Sequence, residues 1–177
     1  MNSLLKVFRS IQTTFLNSSN NIIKSKTPVL NARLDLMEYN GNDWKNYLPS
    51  EYELMCKMEE TNLTYGKFKL EKFSNDTFEI ILIVWLPNSI TPIHNHPTKG
   101  CCLKMLEGEL TETTYYSHNL EKSKESLIKP PCVSYIDNKW FYHKIENRSN
   151  KFAYSLHLYS PPNFTSNFYR KNISFKN

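Results

Sequence analysis

The N-terminal third of the chain carries a helical rhythm of apolar positions, and the rest carries the two-residue rhythm of strands. Leu4, Phe8, Ile11 and Phe15 recur at three- and four-residue spacing, which predicts an amphipathic first helix. In NARLDLMEYNGNDWKNYLPSEYELMCKMEE, Leu34, Met37 and Tyr39 mark an apolar stripe that breaks at Asn40-Gly41-Asn42. Trp44, Tyr47 and Leu48 follow, and Pro49 opens a further helix through Leu54 and Met58. From Thr77 the texture changes: TFEIILIVWL is a β-branched and aromatic run stopped at Pro87-Asn88, as a buried strand should be.

Further strands follow at short intervals. CCLKMLEGELTETTYY predicts a hairpin turning near Glu107-Gly108, and CVSYIDNKWFYHKIEN a second turning near Asp137-Asn138. KFAYSLHLYSPP predicts a last strand stopped by two prolines. Short strands in such number imply a sandwich or barrel. The expectation is one mainly β domain over 1–177, with a helical layer over about 1–62 and a β-barrel over about 63–177.

Alternation also sorts side chains by face. On the last strand Phe152, Tyr154, Leu156 and Leu158 share a greasy side, whereas Ala153, Ser155, His157 and Tyr159 share the other. His94 and His96 likewise point one way, and Cys102 points away from Cys101, toward the core. Four of the five histidines, His94, His96, His143 and His157, fall in predicted strands or at their mouths. His118, in the polar stretch SHNLEKSKE, is expected to be solvated.

Composition narrows the classes. A length of 177 residues with 14% aromatics and only 4 glycines suits one sizeable, bulky core. The net charge of +5 is spread over interleaved basic and acidic residues with no dense basic stripe, so nucleic acid is not an expected partner. No apolar run is long enough to predict a transmembrane helix. The 4 cysteines form no disulfide framework, which points to a reducing compartment, the cytoplasm. Residues 1–33 lack acidic side chains, carry Lys6, Arg9, Lys24, Lys26 and Arg33, and are rich in Ser, Thr and Asn, the composition of a mitochondrial presequence. The helical spacing of the apolar residues there favours a first helix of the fold instead.

A His-X-His pair on one strand can chelate a metal, because both imidazoles project to one point. His94-X-His96, four further residues to Cys101 and six more to Gly108 are similar to the first motif of the cupin superfamily, with cysteine where most members carry a glutamate ligand. His143 followed by three residues and Asn147 resembles the end of the second motif. Cysteine in the glutamate slot, with SLHLYSPP, LMEYNGNDWKNYLP and TYGKFKLEKFSNDTFEIILIVWLP, resembles the cysteine dioxygenase family of thiol dioxygenases over nearly the whole chain.

That resemblance implies a cupin-type jelly roll holding one Fe(II) per chain by His94, His96 and His143. It implies that L-cysteine binds through sulfur and amine, that dioxygen takes the remaining position, and that the product is cysteine sulfinate, as in cysteine catabolism. Without a carboxylate ligand the ion keeps its full charge, which favours a thiolate. Cys101 and Tyr159 resemble the family's thioether-crosslinked pair, with His157 orienting the phenol, and Tyr65 and Lys67 fall where the family binds substrate. Trp85 is read as packing, and a cis bond at Ser160-Pro161 is expected from the resemblance. A monomer is expected.

Two departures bear on the substrate. Lys67 stands where the family has an arginine that grips the carboxylate, and a shift of two would make Lys69 the candidate. A lysine offers one compact charge where arginine offers a planar fork. Asn95 and Pro97 in HNHP replace the family's usual pattern, which has an aspartate between the histidines, and are similar to dioxygenases of cysteamine and of N-terminal cysteine. The alternatives are oxidation of another small thiol, cysteamine or 3-mercaptopropionate, and a non-catalytic metal-binding cupin. A structural zinc site is disfavoured because no second cysteine is placed to close a tetrahedron.

Overall fold

The computed structural model describes residues 3–20 and 28–170, so Lys24 and Lys26 of the basic N-terminal stretch lie outside the described residues. Helix α1 (Ser3–Asn20) buries Leu4, Phe8, Ile11 and Phe15 to 5% exposure or less, the stripe its spacing predicts. Complete burial of a side chain of this kind stabilises by about 1.5–3 kcal/mol, which fixes which face of α1 turns inward. The backbone N–H of Leu4, in the first turn, donates to Asp43 Oδ2 at 2.9 Å. A carboxylate at that end offsets the helix dipole.

Helix α2 (Pro28–Glu38) corrects the sequence reading. Leu34 and Met37 are exposed, and Val29, Ala32, Leu36 and Tyr39 are buried. The stripe is rotated because α2 packs against both α1 and the sheet, and the smaller Val29 and Ala32 permit that approach. A short 3-10 turn, Asp43–Tyr47, seats Trp44 in the core. Helix α3 (Glu51–Thr61) starts from a capping box between Ser50 and Glu53 and has no fully buried residue.

Ten strands follow: β1 (Tyr65–Lys69), β2 (Glu79–Trp85), β3 (Ile93–His94), β4 (Cys101–Glu107), β5 (Leu110–Tyr116), β6 (Lys122–Ile128), β7 (Val133–Ile136), β8 (Phe141–Glu146), β9 (Ala153–Tyr159) and β10 (Phe168–Tyr169). They form two five-stranded antiparallel sheets, ordered β1-β2-β9-β4-β7 and β10-β3-β8-β5-β6. The mainly β expectation holds, and the expected barrel takes the form of a two-sheet jelly roll with a helical layer outside it.

Both predicted hairpins are overturned. Their strands lie where expected, but β4 belongs to the first sheet and β5 to the second, and β7 and β8 are divided the same way. At the first corner Gly108 has φ +81, and a Cβ there would come within 2.9 Å of Ala153 Cβ. The chain thus bends from one sheet into the other instead of folding back on its own ladder. The hairpins that do form are β1–β2 and β5–β6, the latter using the stretch read as a polar loop.

The first sheet has two unlike faces. Its outer side chains, among them Ile80, Leu82, Cys102, Leu156 and Leu158, pack with the helices in one apolar cluster. Its inner side chains meet the second sheet, with Ile83, Trp85, Leu103 and Met105 forming an apolar plug against Leu110 and Ile145. The polar half of the inner face, beyond that plug, holds the site.

Candidate metal centre and active site

His94 in β3 sits directly opposite His143 in β8. His96 follows two residues later, and one nitrogen from each of the three imidazoles lies within 4.8 Å of the others. The Nε2 atoms of His96 and His143 are 2.9 Å apart. Among the described residues this is the one cluster of three or more His, Cys, Asp or Glu so disposed.

Their partners fix the tautomers of two of them. His143 Nδ1 is 2.7 Å from Glu112 Oε1, and His94 Nδ1 is 2.9 Å from the Pro92 carbonyl oxygen. An ionised carboxylate and a carbonyl can only accept, so both rings carry a proton on Nδ1, which turns Nε2 toward the other imidazoles. Burial and the neighbouring His143 push His94 and His96 well below the ordinary histidine range. Both are neutral imidazoles, the form a metal requires. Burial alone would raise the Glu112 carboxyl, but hydrogen bonds from His143 and Ser134 prevail and hold it below its usual range. Ser134 donates to its second oxygen at 2.7 Å, which ties the two sheets together behind the cluster. Imidazole nitrogens turned toward one point, with a buried carboxylate supporting one of the rings, suit a divalent first-row metal.

Beside this cluster, Cys101 in β4 and Tyr159 in β9 are direct ladder partners on the inner face. The Tyr159 hydroxyl lies 3.2 Å from His157 Nδ1, and Cys101 Sγ lies 3.9 Å from the same nitrogen. On the other side of the ring His157 Nε2 is 3.0 Å from Ser155 Oγ, which accepts from Trp85 Nε1 at 2.8 Å. Burial raises the Cys101 thiol and the Tyr159 phenol well above their ordinary ranges, and it lowers His157, with the Lys67 charge adding to the effect. Cys102 faces the other way, its Sγ donating to the Val29 carbonyl at 3.3 Å. His118 is exposed, as expected.

The structure separates the two lysine candidates. Lys67 lines the same cavity as Tyr65, His94, His143, His157 and Tyr159. Among the described residues no carboxylate lies within ion-pair distance of it, and burial lowers its pKa. Lys69 is exposed and lies 3.4 Å from Glu71 Oε2. Tyr65 stacks on Trp85 at a centroid distance of 4.9 Å, and burial pushes its phenol up to about 12.

Asn95, between the two histidines, turns out of the cluster. Its side chain accepts from the Asn167 N–H at 2.7 Å and its own N–H donates to the Asn167 carbonyl at 3.3 Å. This clamp holds β10 against β3, and Ser166 and Phe168 close one wall of the cavity. The Ser160-Pro161 bond is cis, as the resemblance implies. Sequence reasoning missed Glu112 and Ser155 and read Trp85 as packing alone. Ser155 shares the alternation of His157 and Tyr159 and was visible on that ground. Glu112 offered a fainter signal, a carboxylate in phase with the inward Leu110.

Two facing antiparallel sheets with a three-histidine cluster between them define a cupin-type β protein with a candidate metal centre. The chain belongs to the cysteine dioxygenase type I family, whose model matches residues 29–172. It is 30% identical over 135 residues to cysteine dioxygenase type 1 of Homo sapiens, covering 73% of this chain and 66% of the human protein. It is 32% identical over 121 residues to that of Danio rerio, covering 64% of this chain and 59% of the zebrafish protein. The chain thus spans a little under two thirds of the length of these curated relatives. Among solved structures, oxalate decarboxylase of Bacillus subtilis superposes with a TM-score of 0.49 at 15% identity, over 59% of this chain and 27% of that one.

Proposed function

We propose that this protein is an iron-dependent thiol dioxygenase that oxidises L-cysteine with dioxygen to cysteine sulfinate. The observation that carries the reading is that the three-histidine cluster, through His94 and His143, meets the Tyr159–His157 pair and the Lys67 ammonium at one cavity, in a chain of this family. His94, His96 and His143 are the residues that would hold one Fe(II). When bound, that ion supplies a centre at which thiolate and dioxygen react, both oxygen atoms ending on sulfur and the thiolate providing the electrons.

The protein's own groups bind, orient and hold protons. As ligands, His94, His96 and His143 would add no negative charge, so the ion they hold would favour the thiolate form of an incoming thiol. Lys67 receives the substrate carboxylate and neutralises it in a partly desolvated pocket, where an ion pair is stronger than in water. The Tyr159 phenol keeps its proton, because burial raises its pKa, and donates a hydrogen bond toward substrate or oxygen. The stacked rings of Tyr65 and Trp85 wall the cavity and exclude water. Cys101, opposite Tyr159, is the partner for a thioether; as the carbon–sulfur bond forms, the thiol and a ring carbon each lose a hydrogen to dioxygen. The activity belongs to cysteine catabolism, and we place it in the cytoplasm with the protein acting as a monomer.

Oxygen uptake by Fe(II)-loaded protein, with sulfinate identified by mass spectrometry, tests the proposal on L-cysteine, cysteamine and 3-mercaptopropionate. L-cysteine should be fastest, and iron should be about one per chain in the wild type and lost in His94→Ala and His143→Ala. Preference for cysteamine or 3-mercaptopropionate would move the substrate to another small thiol. No uptake with any thiol would leave a metal-binding cupin without turnover.

A further inference from the structure

Trp85, Ser155, His157 and Tyr159 form an unbroken chain of polar contacts across the β2–β9 ladder, and their exposures are 1%, 0%, 3% and 7%. An indole N–H can only donate, whereas the other three groups can each donate or accept. Among the described residues Ser155 Oγ has two polar neighbours, Trp85 Nε1 at 2.8 Å and His157 Nε2 at 3.0 Å. The relay can therefore run in either of two directions. In the first, Ser155 donates to a bare Nε2, and the proton on Nδ1 of His157 is donated to the Tyr159 oxygen, 3.2 Å away. In the second, Nε2 donates to Ser155, and the Tyr159 hydroxyl is spent on Nδ1.

Within the relay the two directions make equal numbers of hydrogen bonds, so the choice rests on how those bonds act on each other. In the first direction the indole, the hydroxyl and the imidazole donate head to tail, and each bond polarises the next. In the second, two N–H dipoles converge on one serine oxygen and the serine proton has no acceptor, which is costly for a buried donor. We propose that Trp85 is a positioning residue that sets the direction of this relay, holding His157 as the Nδ1–H tautomer and releasing the Tyr159 hydroxyl proton toward the metal cavity. The direction follows from the hydrogen-bond geometry, and its use in catalysis rests on the thiol dioxygenase reading above. Burial keeps His157 neutral, so a tautomer is the relevant description of the ring. The Cys101 sulfur, 3.9 Å from Nδ1, is a second neighbour of that nitrogen; a thiol is a weak donor and a weak acceptor, so the serine end carries the larger difference between the two directions.

The test is the tautomer itself, read by long-range proton–nitrogen NMR of 15N-histidine in the full chain without paramagnetic metal. Wild-type His157 should be protonated at Nδ1 and bare at Nε2. Trp85→Phe, or replacement of Trp85 alone by its benzothienyl analogue, removes the donor; the analogue keeps the shape where the phenylalanine variant fails to fold. Either should move the tautomer ratio several-fold toward Nε2–H. In the iron-loaded enzyme carrying the analogue, kcat on the preferred thiol should then fall several-fold with little change in KM, since the cavity wall and Lys67 are kept. A wild-type ring protonated at Nε2, or a tautomer ratio unchanged by loss of the indole N–H, overturns the proposal. Because the NMR readout needs no turnover, failure of the relay and failure of the dioxygenase reading give different results.

Discussion

Neutralising Glu112 should weaken the metal centre while leaving all three imidazoles in place. The carboxylate is 7% exposed, lies 2.7 Å from His143 Nδ1 and accepts from Ser134 Oγ at 2.7 Å. Both contacts are short and charge-assisted, and such bonds are about twice as strong as neutral ones. Glu112→Gln keeps the volume and one acceptor oxygen but removes the charge, a loss of about 1–2 kcal/mol at the His143 bond. That corresponds to roughly five- to thirtyfold weaker metal binding. Glu112→Ala removes the contact altogether and lets the His143 ring change tautomer and rotate, for a loss on the order of 10–100-fold. Competition against a chromophoric chelator, with Co(II) as a spectroscopic probe and Fe(II) under anaerobic conditions, measures both. Affinities within twofold of wild type for the two variants would refute the argument that this hydrogen bond presents Nε2 to the metal.

Three further outcomes follow from the same geometry. Lys67→Ala should cost about 2 kcal/mol of transition-state stabilisation on L-cysteine, on the order of thirtyfold in kcat/KM, with little effect on cysteamine. Lys67→Arg should keep or improve cysteine turnover, and Lys69→Ala should match wild type; steady-state oxygen uptake decides, and the opposite result for the two alanine variants would reassign the carboxylate. Peptide mass spectrometry of aerobically turned-over protein should find Cys101 and Tyr159 linked, about two mass units light, in wild type and not in Cys101→Ser. Only free Cys101 in fully turned-over, iron-replete protein would refute the link. His157 has a folded pKa depressed by burial, so the unfolded chain binds the extra proton below about pH 6.5 and stability falls as pH drops from there. Metal-free wild type should lose about 1.4 kcal/mol more per pH unit below that point than His157→Asn, as read by urea denaturation at neutral and mildly acidic pH, and equal slopes would count against a neutral His157.

Local periodicity determined much of this protein. The alternation that set His157 and Tyr159 on one face of β9 and Leu156 and Leu158 on the other is a property of extended backbone, and the structure repeats it with helices on the apolar side. The spacing in α1 likewise specified its buried stripe, because a helix fixes the angle between side chains irrespective of what they pack against. The motif residues were legible since His94, His96 and Cys101 lie close together in the chain. What periodicity cannot carry is the identity of a strand's partner. β4 and β5 were both recognisable, yet whether Gly108 turns them into a ladder or sends them to different sheets depends on contacts with β9 and β8, strands distant in the chain. The same holds for α2, where burial went to Val29 and Ala32 over the larger Leu34 and Met37 because the packed neighbours, and not residue size, chose the face. Glu112 acquires its place at the centre only when folding brings it to His143, 31 residues on, and Lys67 is distinguished from Lys69 only by a cavity wall that neither residue encodes. Trp85 read as packing because an indole is mostly apolar surface, and the tertiary fold alone placed its single N–H against Ser155, 70 residues further along the chain.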